Sequence, residues 1–218
     1  EGIYLAMQAS LKKNDHVVVL SPSYDALFNV AEHISGNVSR WYLKNDGIKW
    51  ALDFDQLEAV LRANTKLLVV NFPHNPTGFV PTEMDIRRII QICAKYGVQI
   101  FSDEIYYGLE LSPDHRFTSI ADQTPKCITM SGASKGLGLP GLRFGWLVIK
   151  DPKLYDQILS LKTYTSMCSH QANEYLGMMA IRAAPQLLEK NLMIINTNLK
   201  LAEEFFKKHE TKFTWLRP

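Results

Sequence analysis

Two uninterrupted apolar runs, Val17-Val18-Val19-Leu20 and Leu67-Leu68-Val69-Val70, constrain this chain most. A strand with one wet face alternates apolar and polar side chains, whereas a strand covered on both faces reads as a continuous apolar run. Both runs are short and mostly β-branched or bounded by polar residues, which favours strand over helix. Helices must then lie on both sides of the sheet. The pattern predicts strands at 16–20, 38–43, 66–71, 98–102, 126–131 and 144–149. Between them run amphipathic helical patterns at 2–13, 24–34, 53–63 and 82–96, the alternation of an α/β domain. Thr82, with Asp85 three positions on, is a helix-start signature. The last third, 152–165 and 170–209, reads as helix without a strand.

With 218 residues the chain fits one domain with a full core. No repeat, low-complexity segment or linker divides it. Lys and Arg number 24 against 22 Asp and Glu, too even a balance to point to nucleic acid or an anionic membrane. No apolar run reaches the roughly 18 residues of a membrane span. The three cysteines, Cys93, Cys127 and Cys168, are odd in number and widely spaced, which argues against a disulfide framework. Cys93 and Cys127 read as buried free thiols. The six histidines show no metal-ligand spacing, so a cytoplasmic protein without a metal is expected.

Four short signatures stand near the ends of predicted strands: Asn75-Pro76-Thr77-Gly78, Asp103-Glu104-Ile105-Tyr106, Ser134-Lys135, and Arg143 eight residues past that lysine. Ligands of open α/β sheets bind beyond the carboxyl ends of the strands. Taken singly, each signature has a plain structural reading. Asp103 reads equally as a loop acid or helix cap, Glu104 as a structural partner, and N-P-T-G as a strand-to-helix turn. Lys135 reads as a surface lysine, and Tyr24, after Ser21-Pro22-Ser23, as core packing. Together they match the needs of pyridoxal 5′-phosphate (PLP). Lys135 supplies an amine for an imine, in a glycine-rich loop suited to close approach. Asp103 supplies a carboxylate for the ring nitrogen, and Asn75 and Tyr106 supply donors for the phenolic oxygen. Arg143 supplies a two-pronged cation for phosphate, Ser134 a hydroxyl, and Tyr24 a ring to lie over the cofactor face.

On these residues, with Gly138-Leu139-Pro140-Gly141-Leu142-Arg143-Phe144-Gly145-Trp146, the chain resembles the class I/II aminotransferases of the aspartate aminotransferase superfamily, the fold type I PLP enzymes. The resemblance covers the whole chain. It implies a three-layer α/β/α domain with a mostly parallel seven-stranded sheet. It also implies Lys135 as Schiff-base lysine and proton shuttle, Asp103 on the pyridine nitrogen, and Asn75 and Tyr106 on the phenolic oxygen. Arg143 and Ser134 would take the phosphate, and Tyr24 would stack on the ring. The expected substrates are an amino acid and a 2-oxo acid, and the expected assembly is a homodimer. Residues 1–212 would form the PLP-binding large domain, short on its N-terminal side, and 213–218, a strand-like segment, would open a small C-terminal domain. A chain of this extent is expected to bind PLP weakly and turn over poorly. One departure stands out: Gly132 occupies the position three before the lysine, where the family usually has a phosphate-binding Ser or Thr, with Ser131 or Ser134 as possible substitutes.

Two other functions stay open on the sequence. A PLP-dependent C–S β-lyase shares the fold, although such relatives often carry histidine where this chain has Tyr106; His74 favours neither reaction. An aminotransferase-like effector domain of a transcription regulator would owe its DNA contacts to sequence outside this chain.

Overall fold

The computed structural model describes residues 1–218, the side chain of Pro113 excepted. In chain order the elements are α1 (Gly2–Ser10), β1 (His16–Ser21), α2 (Asp25–Ser35), β2 (Val38–Tyr42), β3 (Lys44–Asn45), β4 (Trp50–Ala51), α3 (Phe54–Val60) and β5 (Thr65–Asn71). There follow α4 (Glu83–Tyr96), β6 (Gln99–Asp103), α5 (Ile120–Gln123), β7 (Cys127–Gly132), β8 (Gly145–Ile149), α6 (Pro152–Thr163), α7 (Gln171–Arg182) and α8 (Ala184–Lys208).

The main sheet has six strands in the order β2-β1-β5-β6-β7-β8, one fewer than the seven expected. All pairs are parallel except the last, in which β8 runs antiparallel to β7. The short β3–β4 hairpin forms a separate sheet. Every residue of β1 is buried, as is every residue of β5 except Lys66. The period-2 alternation of strand side chains divides each apolar run between two cores. Val17, Val19, Leu67, Val69, Phe101 and Ile128 pack with α1, α2 and α6. Val18, Leu20, Leu68, Val70, Phe72 and Ile100 pack with α3, α4 and α5. Continuous hydrophobicity in the sequence is thus two alternating faces, both covered.

Local chemistry sets the helix ends. Thr82 accepts from the Asp85 N–H at 3.1 Å while Asp85 accepts from the Thr82 N–H at 2.9 Å, a complete capping box for α4. Helix α1 stops at Ser10, three residues short of the predicted end, because Leu11 is extended and Asn14 turns left-handed. The predicted 170–209 helix is two helices. Pro185 has no N–H for the preceding turn, so the chain restarts at Ala184. Residues 213–218 form no strand. They fold back along α8, with Trp215 stacked on Phe206 at 4.7 Å and Arg217 paired to Glu203 at 2.6 Å. Cys93 and Cys127 are buried thiols, and Cys168 is exposed.

The sheet order also places a crevice. From β1 the chain passes to β2 on one side and then returns to β5 on the other, so β1 and β5 form a topological switch point.

Candidate active site

At the carboxyl end of the sheet lies an open cavity of about 860 Å³. Tyr24, Asn75, Asp103, Tyr106, Ser134, Lys135 and Arg143 all line it. They arrive from four places: the loop after β1, the turn after β5, the end of β6, and the loop between β7 and β8.

Asp103 is the last residue of β6 and only 3% exposed. Its Oδ1 accepts the Ile105 N–H at 3.1 Å. Among the described residues no cation pairs with it. Burial therefore pushes its pKa up to about 7, helped by the neighbouring Glu104 charge and opposed by the Ile105 hydrogen bond. A buried carboxyl with no cation paired to it, facing an open cavity, is short of one positive, hydrogen-bonding partner. Glu104 is different: it accepts from Ser102 Oγ at 2.9 Å and from the Ile120 N–H at 3.1 Å, so it ties β6 to α5. Of the two acids, Glu104 is the structural one. Tyr106 has a raised pKa from burial, then from the Asp103 charge and Tyr24.

The Asn75 turn is held by two residues that sequence reasoning left without a role. Asn71, 2% exposed, donates through Nδ2 to the Asp103 carbonyl at 2.8 Å and accepts the Asn75 N–H on Oδ1 at 2.9 Å. One amide thereby fixes the ends of β5 and β6 to each other and to the turn. His74 Nδ1 lies 2.7 Å from Thr77 Oγ1, its N–H donates to the Phe79 carbonyl, and its carbonyl accepts the Gly78 N–H. Burial lowers its pKa to about 4, with the Pro22 carbonyl acting in the opposite sense, and the ring is neutral at ordinary pH. Gly78 has φ +72°, and a Cβ there would lie 2.3 Å from Cβ of Pro218. Glycine is required on both counts.

Lys135 is exposed, in the turns that follow β7. Arg143 sits left-handed at φ 51°, and its Nη1 donates to the Pro140 carbonyl at 3.0 Å. No ion pair occupies either cation among the described residues. Gly132 has a steric reason. It pairs with Gly145 across β7 and β8, and a Cβ on it would lie 2.9 Å from the Phe144 carbonyl oxygen and 3.0 Å from Gly145 Cα. Ser131 donates to the Glu104 carbonyl at 3.2 Å. That leaves Ser134 as the hydroxyl best offered to the cavity.

The site thus sets a primary amine, a guanidinium, a hydroxyl, an amide, a phenol and a near-neutral buried acid around one cavity. This donor set fits a ligand bearing an aldehyde or carbonyl, an anionic group, a phenolic or enolic oxygen, and a basic ring nitrogen. The family model for aminotransferase class I and II matches residues 1–216. The glutamate-pyruvate aminotransferase AlaA of Escherichia coli K12 is 35% identical over 155 residues, which is 70% of this chain and 38% of that protein. A PLP-dependent aminotransferase from Streptococcus suis superposes with a TM-score of 0.86 at 26% identity, covering 94% of this chain and 54% of that one. A PLP-bound C-S lyase from Staphylococcus hominis gives 0.87 at 22% identity over 100% and 56% of the two chains, a likeness of fold alone. The chain spans well under half the length of this curated relative.

Proposed function

The chain belongs to the class I and II aminotransferases, and from that premise we propose that it holds PLP and serves the transfer of an amino group between an amino acid and a 2-oxo acid. The observation that carries this reading is Asp103: a buried carboxyl that, among the described residues, pairs with no cation, lining a cavity also lined by Lys135, which is likewise in no ion pair among them. When bound, PLP supplies an aldehyde that condenses with amines and a protonated ring that accepts an electron pair from the substrate α-carbon.

The chain's own residues do the rest. Asp103 holds a proton at the ring nitrogen. The ring's positive charge would restore the carboxylate to its ionised form, reversing the effect of burial. Asn75 Nδ2 and the Tyr106 hydroxyl donate to the phenolic oxygen and keep it ionised. Arg143 and Ser134 would hold the phosphate, and Tyr24 would pack against the ring. Lys135 would hold the cofactor through its amine and, when free, would be the base and acid that moves a proton at the substrate α-carbon. Residues 1–212 act as the PLP-binding domain, and the family resemblance supports a homodimer in the cytoplasm.

The test is to mix the chain with PLP, reduce with borohydride and map the modified lysine. Label concentrated on Lys135, and lost in Lys135→Ala, is the expected result. Label scattered over surface lysines would overturn the reading. Release of pyruvate and a thiol from cystathionine, without amination of any 2-oxo acid, would transfer the reading to a C–S lyase.

A further inference from the structure

The segment bearing Lys135 has its own turn bonds, Gly138 N–H to the Lys135 carbonyl and Leu139 N–H to the Ala133 carbonyl, both at 2.9 Å, and buries Ala133 and Leu137; what orients it against its neighbours comes from two sides. Residues 133–137 form turns, and Gly136 and Gly138 contribute no side chains. On one side the Gly136 N–H donates to the Ile105 carbonyl at 3.2 Å, which ties the loop to the turn after Asp103. On the other side stands α8. Asn191 Nδ2 donates to the Gly136 carbonyl at 2.9 Å. A Cβ on Gly138, whose φ is +70°, would lie 2.8 Å from the same Nδ2. The amide is therefore wedged inside the loop. Three residues earlier, on the same face of the helix, Leu188 fills the space beside Gly108 and, again, Gly136. Its Cδ1 lies 2.9 Å from where a Cβ on Gly108 would be, and its Cδ2 lies 3.7 Å from the corresponding point on Gly136. Gly108 lies two residues past Tyr106, at the end of the turn that follows Asp103. Two side chains of one helix thus abut both segments that the candidate site depends on.

We propose that Asn191 is a positioning residue of this site: through the Gly136 carbonyl it sets the backbone of Lys135 against the Asp103 turn, with Leu188 as the steric stop. It touches no ligand itself. The inference deepens the reading of Lys135 as the reactive lysine and rests on it. Gly136 is buried, so a carbonyl left without its donor must be rehydrated or re-paired, and the loop moves to do so. Lys135 is exposed and moves with it.

The Lys135–Gly136 peptide bond is itself a trypsin site, which gives a readout independent of PLP. The experiment compares wild type, Asn191→Asp and Asn191→Ala as full chains, following cleavage at each lysine and arginine by mass spectrometry. Asn191→Asp keeps the shape and removes the donor, so it separates the hydrogen bond from packing. We expect cleavage after Lys135 to rise roughly fivefold to tenfold in both variants, as loss of one buried hydrogen bond implies, with other sites unchanged. The yield of PLP trapped on Lys135 by borohydride should fall by a similar factor. Should Asn191→Ala fold poorly, Asn191→Asp decides alone. Unchanged cleavage after Lys135, or a rise shared by sites such as Lys95, overturns the proposal. Failure of wild type to trap PLP on Lys135 would sink the functional reading instead and leave the cleavage result to judge Asn191.

Discussion

Asp103 and His74 carry opposite protonation penalties in one site. Burial raises Asp103 from 3.8 to about 7 and lowers His74 from 6.5 to about 4. Between those limits the native chain keeps a proton on Asp103 that the unfolded chain has lost. It also lacks a proton on His74 that the unfolded chain still holds. Stability falls with rising pH through the first group and rises with pH through the second, so in wild type the two slopes offset each other. Asp103→Asn removes only the first. The pH-dependent part of its stability relative to wild type should grow by about 1.4 kcal/mol per pH unit from about pH 4, reaching about 4 kcal/mol near pH 7. Urea midpoints of both proteins at pH 4.5, 5.5 and 6.5 check this, and a constant difference would refute it. The same variant should lose PLP binding, so the acid that the ligand needs is one the empty fold would be more stable without. At this scale the seven candidate residues were legible because each is chemically conspicuous at a strand end. Asn71 and Asn191 were not. Each works by pairing with backbone groups of segments distant in sequence, and no local pattern marks such an amide.

Strands were the most legible elements, since burial on both faces writes itself as consecutive apolar residues. The β3–β4 hairpin, two residues a side, with β3 exposed and β4 half-buried, carries no such mark. The break between α7 and α8 was hidden because apolar periodicity continues across Ala183. At Gly132 the element explains the residue: β7 and β8 approach so closely that the Gly132–Gly145 pair admits no side chain. Gly132→Ser, which would restore the family's usual hydroxyl, should therefore cost about 1–3 kcal/mol by overpacking. It should also weaken PLP binding by displacing β8 and the Arg143 segment. Unfolding curves and a PLP titration test both effects. Tighter PLP binding would mean that the serine finds room and that Ser134 does not replace it.

Across the whole molecule, the last residues return to the site. Trp215 stacks on Phe206, Arg217 pairs with Glu203, and Pro218 sits against Gly78 in the turn that offers Asn75. Removing the stack with Trp215→Ala should cost about 0.5–1.5 kcal/mol beyond the lost burial. Hydrogen exchange at the Gly78 amide, which bonds to the His74 carbonyl at 2.8 Å, should then accelerate by roughly tenfold or less. Unaltered exchange there would show that the tail does not brace the turn. The contact also has an optical use. An indole anchored three residues from the point of contact is placed as a strain gauge: a ligand that drew Asn75 inward would shift Gly78 beneath Pro218 and disturb the stacking of Trp215. The part of the emission that Trp215→Ala removes would then report occupancy of a site this indole does not line, separately from Trp146, which does line it.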